Sequence, residues 1–159
     1  REWINSTVGS GESTPPLLFD RTQLVDYVFG FYVAPELGRD GPEFVFDFPV
    51  EQAALARIRP GCPPVAERFE LFWSGVELAN GFYELTEAEE QRLRFTTDNE
   101  KRRKRGQSEI AFDHRLIRAL DSGLPTCAGV AIGLDRLLML SENEKSLAGA
   151  TLPFASDFV

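Results

Sequence analysis

The stretch RFELFWSGVELANGFYEL, residues 68–85, decides the fold. Its aromatic and aliphatic residues favour β-strands, and the Ser74-Gly75 pair between them predicts a hairpin with a two-residue turn. Three carboxylates, Glu70, Glu77 and Glu84, lie inside these apolar runs. Carboxylates are costly to bury unless they bind a cation or accept hydrogen bonds. The stretch therefore predicts a hairpin that lines a binding site.

A two-residue turn fixes the register of this hairpin. It pairs Trp73 with Val76, Phe72 with Glu77, and Glu70 with Ala79. In that register Glu70 and Glu77 project from one face as diagonal neighbours, close enough to share a divalent cation. Carboxylate oxygens are hard ligands, which favours Mg²⁺. A solvated sheet face with no metal explains the same two residues equally well.

The remaining polar residues of the stretch require an irregular strand. Strict alternation places Asn80, Phe82 and Glu84 on the face opposite Glu77. All of them line one site only if the strand bulges or turns near Asn80-Gly81, a dipeptide suited to such a change. A Glu beside an aromatic ring suits a cationic ligand, although Glu84 is also an ordinary residue for the start of a helix.

The stretch AGVAIGLDRLLML, residues 128–140, predicts a strand, a glycine turn and a helix that begins near Arg136. A guanidinium group matches phosphate oxygens, so the pattern is typical of a triphosphate-binding corner. Gly129 and Gly133 permit close approach of the backbone. A helix cap and a surface ion pair formed by Asp135 and Arg136 explain the pattern as well.

Composition excludes several function classes. The 159 residues suffice for one domain, and the apolar (43%) and charged (26%) fractions are those of an ordinary soluble protein. No apolar run is long enough for a membrane span, and two cysteines without C-x-x-C spacing predict a reducing, cytoplasmic setting. A net charge of −8 argues against non-specific nucleic-acid binding, so we interpret the basic run 101–105 as a solvated helix end. The single histidine excludes a His-pair mechanism.

The rest of the chain predicts an α+β fold with a mainly antiparallel sheet flanked by helices. We expect a flexible lead-in over residues 1–21, and the absence of an initiator Met predicts a fragment. The domain then covers 22–159. Its predicted elements are a helix over 22–31, a strand over 43–48, a short helix over 52–58, a long helix opened by a Thr86/Glu89 capping box, a helix capped by Asp113 and a last strand over 152–154.

Taken together, FELFWSGVELANGFYEL and GVAIGLDRLLML resemble the C-terminal half of the class II lysyl-tRNA synthetase catalytic core, from about Phe44 to Phe154. The second motif corresponds to motif 3 of that class, over residues 128–140. The stretch ERFELFWSGVELANGFYELTEAEEQRLRFTTDNEKRRKRG is similar nearly throughout to the truncated paralogues without an anticodon domain, the elongation factor P lysine ligases. Nothing here corresponds to motifs 1 and 2, so the chain alone is expected to be inactive.

The resemblance implies roles for individual residues. Glu70 and Glu77 would hold Mg²⁺ on the phosphates of ATP, and Arg136, beside Gly133, would contact the γ-phosphate end. Asn80, Phe82 and Glu84 would bind lysine, with Gly129 and Ala131 in the same pocket. Lysyl-tRNA synthetases usually have Gly at the position of Ala131. The added methyl would favour (R)-β-lysine over α-lysine by about 1–3 kcal/mol.

The resemblance also implies a reaction and partners. The lysine carboxylate would attack the α-phosphate of ATP, and the aminoacyl group would pass from the adenylate to a lysine of elongation factor P. One alternative is the corresponding part of a true lysyl-tRNA synthetase, whose acceptor is tRNA. Another is an inactive synthetase-like module that binds or regulates. Because motif 1 builds the dimer interface in this class, the full-length protein would be a homodimer, and no membrane partner is expected.

Overall fold

The computed structural model describes residues 20–149. Helices and strands follow one another in mixed order: α1 (Arg21–Val28), β1 (Glu43–Pro49), β2 (Ile58–Arg59), β3 (Val65–Trp73), β4 (Val76–Tyr83), α2 (Ala88–Lys104), α3 (His114–Asp121), β5 (Ala128–Ile132) and α4 (Leu134–Ser141). A π-helical turn, Phe29–Val33, continues α1. The predictions for residues 1–19 and for a strand over 152–154 lie outside the described residues.

The strands form one sheet in the order β1-β3-β4-β5, and the short β2 also pairs with β3. Every strand pairing within residues 20–149 is antiparallel. The predicted α+β class with an antiparallel sheet is therefore confirmed. The centre of the sheet is the β3–β4 hairpin, whose two strands each have a further neighbour.

The hairpin turn has the predicted length. Ser74 (φ 51°) and Gly75 (φ 75°) both adopt positive φ, as a type I′ turn requires. The pairs nearest the turn, Trp73 with Val76 and Phe72 with Glu77, match the predicted register.

Beyond these pairs the predicted register is wrong, because Leu71 pairs with Ala79 and Glu70 pairs with Asn80. Leu78 is the extra residue of a β-bulge on β4. Both Leu78 and Ala79 are buried, and a bulge allows two consecutive apolar side chains to leave the solvent. The bulge predicted near Asn80-Gly81 is thus two to three residues too late, since β4 pairs regularly on both sides from Ala79 to Phe82.

The bulge at Leu78 determines which side chains share a face. Because it shifts the alternation by one residue, Asn80 lies on the same face as Glu77. We call this the site face; across β3, β4 and β5 its residues are Arg68, Glu70, Phe72, Glu77, Asn80, Phe82, Gly129 and Ala131. The opposite side, the back face, is apolar and is formed by Phe44, Phe46, Phe69, Leu71, Val130 and Ile132.

Two local predictions were wrong for identifiable reasons. The capping box predicted at Thr86 and Glu89 does not form, because the Thr86 hydroxyl donates to the Glu87 carboxylate (3.1 Å). Helix α2 starts after Glu87, whose side chain makes no capping hydrogen bond. The predicted helix over 52–58 is absent, because the Arg57 N–H donates to Tyr83 O (2.8 Å) and this segment runs beside the end of β4. The Asp113 cap is confirmed, with hydrogen bonds from the N–H groups of Arg115 and Leu116.

A small core supports one end of the site face. Its buried members are Phe48, Ala53, Ala56 and Ala66. The ring of Phe29, just after α1, packs edge-on against Phe48 (6.3 Å between centroids) and Phe72 (5.9 Å). The α1 segment therefore lies over the site face. Within residues 20–149, helices long and apolar enough to cross a membrane are absent.

Candidate functional site

Glu70 is the most buried carboxylate of the site face, with 7% of its surface exposed. Its Oε1 atom accepts hydrogen bonds from the guanidinium of Arg68 and from Asn80 Nδ2 (3.3 Å). Burial raises the pKa of Glu70 above its ordinary value, the negative charge of Glu77 adds to this, and Arg68 opposes it. An additional cation would therefore stabilise the ionised form of this buried carboxylate.

Glu77 lies opposite Phe72, which is two residues from Glu70 along β3. As predicted, the two carboxylates share a face and are diagonal neighbours. Glu77 is more exposed, at 38% of its side chain, so the pair has one buried and one accessible carboxylate.

Arg136 meets Glu77 at the edge of the sheet. Gly133 follows β5 and is the N-cap of α4. Its N–H donates to Leu78 O (2.8 Å), which ties the start of the helix to the β4 bulge. From the first turn of α4, Arg136 Nη1 donates to Glu77 O (2.7 Å) and lies 3.7 Å from Glu77 Oε2. The two sequence motifs therefore meet in space through these residues.

Glu84 and Gly129 are in close contact. A Cβ atom at Gly129 would lie only 2.5 Å from Glu84 Oε1, so the absence of a side chain there admits the carboxylate. Glu84 also donates its N–H to Cys127 O (3.0 Å), immediately beyond the β4–β5 ladder. By contrast, a Cβ at Gly133 would make only ordinary contacts with Arg136, so the close approach predicted at Gly133 is not sterically required.

Asn80, Phe82 and Ala131 complete the site face. Asn80 pairs with Ala131, and Phe82 pairs with Gly129. Ala131 is exposed, whereas Phe82 is half-buried and also packs against the core. Asn80 Oδ1 is a buried acceptor without a hydrogen-bond partner among residues 20–149. Such an atom favours a ligand that donates a hydrogen bond.

The two carboxylates of the site face are hard oxygen ligands, which is the kind of ligand that Mg²⁺ prefers. No group of three or more His, Cys, Asp or Glu side chains within the described residues could hold a metal ion. Mg²⁺ is commonly bound by one or two carboxylates together with substrate phosphates. Glu70 and Glu77 are two carboxylates of this kind, and Arg136 contacts Glu77 at the edge of the sheet.

The basic run of α2 has local partners. Lys101 pairs with Asp98, Arg102 donates to Ser108 O, Arg103 pairs with Glu109, and Arg105 pairs with Asp20. These contacts are those of a helix C-terminus that holds its neighbouring segments.

Sequence reasoning missed Arg68. Its guanidinium lies over the ring of Phe48 (4.6 Å to the centroid) and near that of Phe82 (5.9 Å), and its Nη1 donates to Gln52 O (2.9 Å). The signal was available, because Arg68 and Glu70 are two residues apart on one strand and so share a face. A cavity of about 410 Å³ beside them is also lined by Asp26 and Asp98, which no motif indicated.

The fold and these motifs agree with a comparison to known families. Residues 29–155 match the family described as tRNA synthetases class II (D, K and N). Because this match covers most of the chain, the chain belongs to that family.

Individual relatives are more specific. The chain is 49% identical over 138 residues to a protein of Klebsiella pneumoniae named elongation factor P--(R)-beta-lysine ligase. Proteins of the same name in Vibrio cholerae and Pectobacterium atrosepticum are 49% identical over 152 residues and 53% identical over 129 residues. These matches cover 87%, 95% and 81% of this chain, but only 42%, 47% and 40% of the relatives. The chain thus spans less than half the length of the curated relatives it matches.

Proposed function

We propose that this chain is the C-terminal part of an ATP-dependent ligase that activates lysine or (R)-β-lysine and transfers it to a lysine of elongation factor P. The observation that carries the proposal is the identity of about one half to relatives with that named activity, together with a site face that joins both motifs. The activity belongs to the longer protein, and this chain supplies one side of its site.

The amino-acid pocket is proposed at Glu84, Asn80 and Phe82. An ammonium group of the substrate would be neutralised by Glu84, whose carboxylate lies against Gly129. The buried Asn80 Oδ1 would accept one of its hydrogen bonds. Phe82 would pack along the aliphatic part, and Ala131, opposite Asn80, would narrow the space beside it. This arrangement selects a ligand with a cationic amine at one end.

The nucleotide side is proposed at Glu70, Glu77 and Arg136. When bound, Mg²⁺ would neutralise the phosphates of ATP, and the two carboxylates would hold it. Arg136, which is anchored at Glu77 O, would orient the terminal phosphate. Activation joins the lysine carboxylate to the α-phosphate and releases pyrophosphate. These residues contribute positioning and charge neutralisation and need no strong base.

The acceptor is proposed from the relatives rather than from the site face. The names of the relatives favour elongation factor P over tRNA. The part of the longer relatives that this chain does not cover would supply the rest of the adenylate site, and the full-length protein would be a homodimer, as the resemblance to class II synthetases implies.

The test uses a chimera in which residues 20–159 of this chain follow the part of the Klebsiella relative that precedes the matched segment. We expect ATP–pyrophosphate exchange that depends on α-lysine or (R)-β-lysine, followed by transfer to elongation factor P. The chimera with Glu84→Gln is the matched control and should lose exchange.

Each outcome has a clear meaning. Exchange with transfer to tRNA and none to elongation factor P would favour a lysyl-tRNA synthetase. A folded chimera without exchange for either amino acid would overturn both enzyme assignments and favour a binding or regulatory module.

A further inference from the structure

Arg68 contacts both halves of the candidate site, although no motif or reaction step has assigned it a role. Its side chain is only 18% exposed, and that of its partner Glu70 is 9% exposed. The two residues lie on the same strand and the same face. The ion pair is therefore largely shielded from solvent, unlike a surface pair such as Arg39 with Glu36, whose side chains are 63% and 59% exposed and which contributes little to stability.

The two terminal nitrogens of Arg68 have different tasks. Nη2 donates to Glu70 Oε1, and Nη1 donates to the carbonyl of Gln52 (2.9 Å). Gln52 lies in the segment between β1 and β2, outside the strand that carries Glu70. Arg68 thus fixes the Glu70 carboxylate relative to a second part of the backbone. A planar guanidinium can do this because its donors are held at fixed angles.

Aromatic rings restrict the guanidinium from the sides. It lies 4.6 Å from the centre of the Phe48 ring and 5.9 Å from that of Phe82. Contacts of this kind between a cation and a ring are attractive and limit side-chain motion. Phe82 belongs to the proposed amino-acid pocket and Glu70 to the proposed cation site. The Arg68 side chain therefore contacts both sites.

A shared acceptor extends this arrangement to Asn80. Arg68 and Asn80 both donate to the same atom, Glu70 Oε1. With Oε1 occupied by two donors, Oε2 is the oxygen that can turn towards an incoming cation. Loss of Arg68 would free the carboxylate to rotate and would release the Asn80 amide with it.

We propose that Arg68 is a positioning residue, which holds the Glu70 carboxylate and, through it, the Asn80 amide in the orientation that the site requires. The contacts stand on their own, but the consequence for catalysis rests on the proposed function. The role requires the two-pronged donor geometry of Arg, because a Lys ammonium at this position reaches either Glu70 or the Gln52 carbonyl.

The first test is independent of any activity. In the 159-residue chain, the side-chain amide of Asn80 is followed by ¹H–¹⁵N NMR in Arg68→Met and Arg68→Lys. We expect its proton exchange with water to accelerate at least about fivefold in both variants. Arg59→Met is the control, because Arg59 pairs with Asp47 and Glu67 away from Glu70 and should leave this signal unchanged. If Arg68→Met does not fold, Arg68→Lys decides the question.

The second test separates this role from general stability. In the ligase chimera, Arg68→Met should raise the magnesium concentration for half-maximal exchange about tenfold, with Arg68→Lys intermediate and lysine KM changed less than threefold. An unchanged Asn80 amide in folded Arg68 variants, or an equal change in Arg59→Met, would overturn the positioning role. A chimera without exchange, in which the amide still responds as expected, would instead overturn the proposed function and leave the positioning role standing.

Discussion

The carboxylate of Glu84 lies against the backbone of Gly129, so close that a methyl group at Gly129 would be 2.5 Å from Glu84 Oε1. The two residues belong to different sequence motifs, one after β4 and one within β5. Their contact makes Gly129 a determinant of where the carboxylate can lie. It also provides a way to move that carboxylate without changing its charge.

Gly129→Ala should therefore impair amino-acid binding much more than stability. The added methyl meets the end of a flexible side chain, so Glu84 can rotate away at little cost to the fold, within about 1 kcal/mol. We expect the lysine KM of the ligase chimera to rise at least about tenfold, as measured by pyrophosphate exchange.

Gly133→Ala is the matched control, because its Cβ would lie 3.5 Å from the Arg136 side chain, an ordinary contact. Its lysine KM should stay within about twofold of the unmodified chimera. Equal effects of the two substitutions would contradict the proposed position of Glu84.

Ala131→Gly should change the selectivity between lysine isomers. Ala131 is exposed on the site face opposite Asn80, where its methyl would narrow the amino-acid pocket. Removal of one methyl from a packed pocket changes the discrimination between two similar substrates by about 1–3 kcal/mol. We expect the ratio of kcat/KM for α-lysine over (R)-β-lysine to rise by about 10-fold or more.

Val130→Ala provides the control for this experiment, since Val130 is the neighbouring residue on the back face. It should leave the selectivity ratio unchanged. A ratio that does not respond to Ala131→Gly would place the pocket elsewhere.

Stability should depend on pH through Glu67 and Arg57. The hydrogen bond from Arg57 lowers the pKa of Glu67 below its ordinary value of 4.5. A carboxyl group with a lower pKa in the folded state stabilises the fold above its unfolded pKa and loses this effect as the pH falls. The coupling free energy of the Arg57→Met/Glu67→Gln double-mutant cycle should be favourable at pH 7 and smaller at pH 3.

The measurement is urea denaturation of the four chains at both pH values. A coupling free energy that is equal at pH 7 and pH 3 would show that the ionised form of Glu67 is not responsible.

Asn99 should hold the segment after α2 in place. Although polar, it is 9% exposed, and its amide exchanges two hydrogen bonds of 2.9 Å with the backbone of Ile110. Asn99→Ala would remove both bonds and should lower the free energy of unfolding by about 1–3 kcal/mol, as measured by urea denaturation.

Asn99→Asp retains the acceptor and loses the donor, so the decrease in its free energy of unfolding should be intermediate at pH 7. A change of less than about 0.5 kcal/mol in Asn99→Ala would mean that water replaces these bonds without cost.

The sequence was sufficient for the class of fold and the hairpin turn. Alternating apolar residues and Ser74-Gly75 determine these features locally. The position of the bulge was not accessible in this way. Asn80-Gly81 has the composition of an irregular strand, but burial of both Leu78 and Ala79 decided the geometry, and burial depends on tertiary packing.

Two tertiary contacts could not be predicted for the same reason. The link from Arg68 to Gln52 and the contact of Asn99 with Ile110 join segments whose proximity no local pattern encodes. Likewise, the capping box predicted at Thr86 has suitable residue types, but the Thr86 hydroxyl donates to the Glu87 side chain instead.

The central claim is that one face of one sheet carries both the carboxylate pair and the amino-acid pocket. A crystal structure of the ligase chimera with a non-hydrolysable lysyl-adenylate analogue tests it most directly. The claim predicts the side-chain amine within hydrogen-bond distance of Glu84, and the group that replaces the phosphate on the side of Glu70 and Glu77. An analogue bound to the back face, or with its amine away from Glu84, would contradict it.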